Sequence, residues 1–238
     1  MTKVTASRFR RIATGTSLIV FPLSMLGAAL AQPVLGEEAR QVYDAAVAHP
    51  GRIAASAAVG TPGVLLWIVA VTGAVHLVRE RGATLSHVGA GLALLGALGH
   101  MVMATLFLVL LGLPQTGDRT QLVPALDRIA GHVFPLAMPL LLLGGIGLVL
   151  LSIALRRAGQ APLATPLLVA LGFLSEFVPF GGTTGDVVLW ALAGTGLALV
   201  GLKVLAMTDA QWQAPGSAPT TAGQSAVATG PSAAAHTA

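Results

Sequence analysis

Six stretches of this chain run with almost no break in apolar character, and each meets or approaches the length needed to cross a bilayer. A helix rises about 1.5 Å per residue, so about 20 residues span the roughly 30 Å of hydrocarbon. The stretches cover about residues 12–31, 53–78, 88–113, 133–155, 163–180 and 187–207. The fifth is the shortest and holds Glu176, while the sixth carries Lys203 near one end, where its stem can reach the headgroups. Backbone polar groups find no partners in hydrocarbon, and a barrel strand would be about ten residues of alternating polarity, so runs like these are helices. Pro22, Pro135 and Pro139 fall inside the first and fourth runs and are expected to kink them. The predicted fold class is therefore all-α, a polytopic transmembrane helical bundle of about six spans over residues 1–207.

Composition agrees. Apolar residues make up 55% of the 238 positions and charged residues 9%, against roughly 25% charged in an ordinary soluble domain. Such a chain has too little polar surface to cover a water-soluble globule. It has no cysteine, which excludes disulfides, thiolate metal sites and a cysteine nucleophile. The net charge of +4 comes from short clusters between the apolar runs, not from a stripe or arm, so it bears on membrane orientation and not on nucleic acid.

Lys3, Arg8, Arg10 and Arg11 precede the first run, Arg79 and Arg81 separate the second from the third, and Arg156 and Arg157 follow the fourth. Basic connections of this kind stay in the cytoplasm. The alternate connections mix acid and base: Glu37, Glu38, Arg40, Asp44 and Arg52, then Asp118, Arg119, Asp127 and Arg128, then Asp186. These are expected outside, with both termini cytoplasmic. The first run has a second reading as a secretory signal, since Ala29-Leu30-Ala31 resembles a cleavage site; its apolar stretch is longer than the usual 7 to 15 residues. Cleavage would leave five spans with the same orientation. Between the first two runs, residues 37–49 have a weak helical pattern and are expected to lie on the membrane surface or cover the helix ends. Residues 208–238 are rich in Ala, Thr, Ser, Gly and Pro without Lys or Arg, and are expected to form a disordered cytoplasmic tail.

His100 lies near the middle of the third run, where an imidazole must face other helices or water. It is a candidate proton relay or ligand to a metal or haem; the plainer role is one interhelical hydrogen bond, worth about 0.6 kcal/mol. Glu176 is the second candidate, as a proton carrier within the fifth run or as a carboxylate reaching water at the outer interface beside Phe180 and the turn that follows it. His132, at the outer start of the fourth run, and His49 complete a set that would form an outward-facing polar site if their helices are neighbours. His76 and His87 bracket a cytoplasmic turn and are paired haem ligands only on a minority reading. No H-E-x-x-H spacing occurs, and Gly144-Gly145-Ile146-Gly147 lacks the context of a phosphate loop. Small residues four apart, at Gly89, Ala93 and Ala97 and again at Gly194 and Ala198, suit close packing of helices within the chain or between copies.

The sequence Arg10-Arg11-Ile12-Ala13-Thr14-Gly15, followed by Phe21-Pro22 and a short segment ending His49-Pro50-Gly51-Arg52, resembles small uncharacterised multi-pass membrane proteins of high-GC, actinobacterial-type bacteria. The resemblance implies a bacterial plasma-membrane protein and assigns no catalytic residue. The residues themselves rank a small transporter or proton-linked permease first, with His100, Glu176 and His132 as its polar site and the lipid bilayer as its surroundings. A non-catalytic subunit of a larger membrane assembly, or a homo-oligomer, comes second. A haem or metal oxidoreductase component comes third, and the leading expectation is no cofactor and no enzymatic activity.

Overall fold

The computed structural model describes residues 6–36, 38–79, 82–112, 118–178 and 183–215. Lys3, Glu37, Arg81, Phe180, the start of the turn after it and residues 216–238 of the expected tail lie outside the described residues. The described chain is all-α, with no strand among those residues. Its helices are α1 (Ala6–Ala31), α2 (Ala39–Ala48), α3 (Pro50–His76), α4 (Ala83–Gly112), α5 (Arg119–Arg157), α6 (Ala164–Ser175), α7 (Thr184–Ala206) and α8 (Asp209–Gln213). Five of them, α1, α3, α4, α5 and α7, are long and apolar enough to cross a membrane, and α6 is a shorter apolar helix.

The helices form a closed ring. Going round it, α1 packs on α3, α3 on α4, α4 on α5, α5 on α6, α6 on α7, and α7 back on α1. Successive members run in opposite directions, so each end of the bundle gathers alternate connections. One end holds Arg10, Arg11, Arg79, Arg156 and Arg157 and is called the basic end below; the opposite end holds α2, the start of α5 and the start of α7. Large apolar side chains such as Leu23, Leu65, Leu98, Leu136, Leu167 and Leu202 point outward and are exposed. An outer surface of that kind suits hydrocarbon rather than water.

The tightest seam is α4 against α5, where small residues let two backbones meet. A methyl group on Gly89 would lie 2.7 Å from the Leu151 nitrogen and 3.0 Å from the Gly147 carbonyl oxygen, and Gly96 and Gly144 face each other with no room for a side chain. Ala93 and Ala97 are buried in the same seam, and Gly194 of α7 packs against Pro22 of α1. The small-residue spacing read from the sequence therefore serves packing within the chain. The three prolines expected inside helices are there, joined by Pro62 in α3 and Pro124 in α5.

Several elements depart from the expected bounds. α5 has 39 residues, a rise of about 58 Å, so it starts about four turns before the apolar run. Its first turn is capped by Asp118, whose carboxylate accepts the Thr120 backbone N–H at 3.1 Å and the Thr120 hydroxyl at 2.8 Å. Those bonds hold the Asp118 carboxyl below the usual carboxylate range. The extension gives α2 a surface to dock on: Tyr43 and Ala46 of α2 are buried with Ile53, Leu110 and Leu126, and Arg119 donates to Asp44 at 2.6 Å. Of the two placements expected for the segment before α3, α2 thus takes the one over the helix ends.

At the basic end the expected tail begins with structure. Thr208 caps α8, Arg11 pairs with Asp209 at 3.1 Å, and Trp212 is buried beside His76. α6 is only 12 residues long, a rise of about 18 Å, and ends at Ser175 where the apolar run continues to Phe180. The wall of the ring is consequently short on the side between α5 and α7.

Candidate functional site

Inside the ring, and open toward the end away from the basic residues, lies a cavity of about 710 Å³ bordered by residues of α1, α3, α4, α5, α6 and α7. Its size falls in the range of pockets that take small organic ligands. The half of the bundle nearer the basic end is filled instead, by Ala70, Val71, Ala74, Leu77, Leu151, Leu155, Val200 and Val204, all buried. The cavity is therefore a blind well that ends near the middle of the bundle.

Aromatic rings make its floor. Trp67 of α3 is 1% exposed and stacks on Phe21 of α1 with centroids 5.4 Å apart. Trp190 of α7 meets Trp67 edge-on at 5.6 Å, and the His100 ring of α4 lies 4.9 Å from Trp67 and 5.7 Å from Trp190. Four helices thus meet in one cluster of rings, which fixes each ring against the others. His100 donates its Nδ1–H to the Gly96 carbonyl at 3.0 Å, because a carbonyl can only accept. That bond sets the tautomer and leaves Nε2 as the free ring nitrogen of a side chain lining the cavity. The Trp67 indole N–H is buried without a hydrogen-bond partner.

The mouth is acidic. Glu176, immediately after α6, and Asp186, in the first turn of α7, both line the cavity. A methyl group on Gly185 would lie 3.6 Å from a Glu176 carboxylate oxygen, which puts the Glu176 head beside the residue preceding Asp186. The two carboxylates therefore sit close enough to influence each other's charge. Gln32, Ser56 and Thr61 supply neutral polar groups nearby, and no Lys or Arg is among the lining residues. The nearest structural use of a cation at this end is Arg52, which donates to the carbonyls of Ala31 at 3.0 Å and Gln32 at 2.9 Å and so caps the end of α1. Met103, Phe107, Leu141, Leu142, Phe173 and Phe177 make the walls between mouth and floor.

His100 and Glu176, singled out from the sequence, are thus brought to one cavity. His132 is not: it is exposed on α5, more than a turn before Met138, the first α5 residue on the cavity wall. His49 is exposed at the junction of α2 and α3. At the basic end, His76 donates Nε2–H to the Trp212 carbonyl at 3.1 Å, and His87 donates Nδ1–H to the Ala83 carbonyl at 2.7 Å. No group of three or more His, Cys, Asp or Glu side chains with a metal-holding arrangement occurs among the described residues.

Trp67, Trp190 and Asp186 were not marked as site residues by sequence reasoning. A signal existed for each: Trp67 stands deep within the second apolar run, Trp190 one turn into the sixth, and Asp186 follows Glu176 by ten positions. No protein-family model, no curated protein and no solved structure matches this chain.

Proposed function

We propose that this protein is a small proton-linked permease of a bacterial plasma membrane, with its basic end in the cytoplasm and its cavity open to the outside. The observation that carries the reading is a single one: a blind, mostly apolar cavity bounded by six helices whose wall holds His100, Glu176 and Asp186. Ionisable groups at membrane depth are expensive unless they do something, and they typically mark substrate paths or proton relays. A carboxylate pair at a shared mouth can exchange a proton for a substrate, which would couple substrate binding to proton release. The free Nε2 of His100 gives a second proton acceptor farther in.

Alternating access requires a plug that can part. The filled half below Trp67 combines alanine and valine faces with Leu77, Leu151 and Leu155 and close backbone contacts between α4 and α5, so parting it needs those leucines to move with their helices. The short α6 gives the ring one wall that can yield without unravelling a full span.

Reconstitution into vesicles with an imposed pH gradient tests this reading on a panel of small neutral and cationic amphiphiles. The expected result is gradient-dependent uptake of at least one member, abolished by Glu176→Gln and by Asp186→Asn in protein that still inserts. A panel with no gradient-driven uptake, or variants that keep it, would overturn the permease reading; tolerated substitutions together with a stoichiometric co-purifying membrane protein would favour an assembly subunit.

A further inference from the structure

We propose that the cavity selects lipophilic organic cations, an ammonium or phosphonium group carried on an apolar body; this rests on the permease reading of the same site and names its substrate class. The first argument is charge. Glu176 and Asp186 face the well, and its lining contains no lysine or arginine. Of the cations at that end, Arg52 bonds the carbonyls at the end of α1 and Arg119 bonds Asp44, and none of Arg40, Arg52, Arg119 and Arg128 lines the cavity. Neither carboxylate at the mouth has an ion-pair partner among the described residues. Carboxylates in a weakly solvated space attract a counter-charge strongly and repel an anion as strongly. A cationic ligand provides that charge, and a proton provides it when the ligand is absent.

The second argument is the floor. Trp67 and Trp190 border the blind end, each packed closely against neighbouring rings, and Phe107, Phe173 and Phe177 continue the aromatic surface up the wall. Aromatic rings attract cations through their electron-rich faces and pack against apolar bodies as well. An inorganic cation would gain nothing from such walls, whereas an organic one gains along its whole length.

The third argument is independent of charge. The buried, unpartnered Trp67 N–H and the free Nε2 of His100 belong to residues on the cavity wall. Native side chains so deeply placed nearly always have partners; the indole N–H is sealed within the cluster of rings, whereas the imidazole belongs to a half-buried side chain on the cavity wall. A ligand with a hydroxyl or N–H near its apolar end can donate to His100 Nε2. The volume of about 710 Å³ admits a drug-sized molecule.

The test compares two ions of the same shape and opposite charge, tetraphenylphosphonium and tetraphenylborate, by tryptophan fluorescence of the full-length protein purified in detergent. Trp212 lies at the other end of the bundle, so a Trp212→Phe background confines the signal to Trp67 and Trp190. The expected result is a saturable change with the phosphonium, weakened about ten-fold or more in a Glu176→Gln/Asp186→Asn double variant, and none with the borate. Equal binding of both ions, no change with either, or undiminished phosphonium binding by the monodisperse double variant would overturn the proposal. The comparison of the two ions on the unaltered mouth keeps it falsifiable if the double variant does not fold. Binding in detergent needs no gradient: phosphonium that binds but is not carried into vesicles leaves the substrate class standing and removes the permease, and gradient-driven uptake of a neutral solute without phosphonium binding does the reverse.

Discussion

An indole N–H sealed from water without an acceptor costs about 1–3 kcal/mol, and Trp67 carries one at the floor of the cavity. Its ring is nonetheless the hub of the aromatic cluster, in contact with Phe21, His100 and Trp190. These two effects oppose each other, and substitution separates them. Trp67→Phe removes the unsatisfied donor and keeps a ring, so the stability of the empty protein is expected to change by no more than about 1 kcal/mol. Trp67→Ala removes the ring as well and is expected to cost about 3–5 kcal/mol. Unfolding in a detergent and denaturant series measures both. A Trp67→Phe loss as large as the alanine loss would mean that the N–H has a partner in the working protein. At this scale the sequence was informative where lipid makes a residue conspicuous. His100 and Glu176 stand out because a polar group in an apolar run needs a reason. Trp67 and Trp190 do not, because a tryptophan in such a run reads as core until the ring of helices shows that its neighbours leave a space. His132 is exposed on α5 and does not line the cavity, because the face of the helix it occupies is set by the rotation of α5, which spacing along the chain does not give.

The close meeting of α4 and α5 is the feature on which one wall of the cavity depends, and glycine is what permits it. Gly96 and Gly144 face each other with no space for a methyl group, whereas a methyl group on Gly91, on the same helix, would touch nothing within 4 Å. Alanine favours a helix over glycine by up to about 1 kcal/mol, so Gly91→Ala is expected to be neutral or stabilising by that amount. Gly96→Ala must push two backbones apart and is expected to lose about 1–3 kcal/mol. Thermal unfolding of the matched pair reads the difference, and equal behaviour would mean that the seam is looser than its geometry. Element by element, the apolar cores of the helices were legible because a long run without polar breaks has one stable form in a bilayer. Their polar ends were not. The first three turns of α5 contain Arg119, Asp127 and Arg128 and read as a loop, yet they are helical because Leu122, Val123 and Leu126 pack against α2. α8 reads as tail, since its five residues are ordered by contacts outside any apolar pattern: Trp212 meets His76, Asp209 meets Arg11, and Thr208 caps the helix.

For the molecule as a whole, charge divides between the two ends of the ring. Arg10, Arg11, Arg79, Arg156, Arg157 and Lys203 gather at one, with Asp209 paired to Arg11, and Glu38, Asp44, Asp118, Asp127, Glu176 and Asp186 at the other, together with Arg40, Arg52, Arg119 and Arg128. Basic residues beside short spans are retained in the cytoplasm, so the proposed orientation places the acidic mouth of the cavity outside. The absence of cysteine makes this directly measurable, because a single introduced thiol is the only one present. Ala48→Cys on α2 is expected to react with a membrane-impermeant maleimide on intact cells. Thr84→Cys at the start of α4 and Ala210→Cys on α8 are expected to react only after lysis, since α3 separates the first two positions and an even number of crossings separates the last two. Reaction of Ala48→Cys and Thr84→Cys from the same face would mean that α3 does not cross, and a reversed pattern would turn the cavity mouth toward the cytoplasm. Ala6→Cys adds the remaining arm: α1 carries Leu18, Phe21 and Met25 into the core and closes the ring between α3 and α7. A mature protein lacking that thiol would have lost one wall of the cavity, so its retention, accessible only after lysis, is the outcome the closed ring requires.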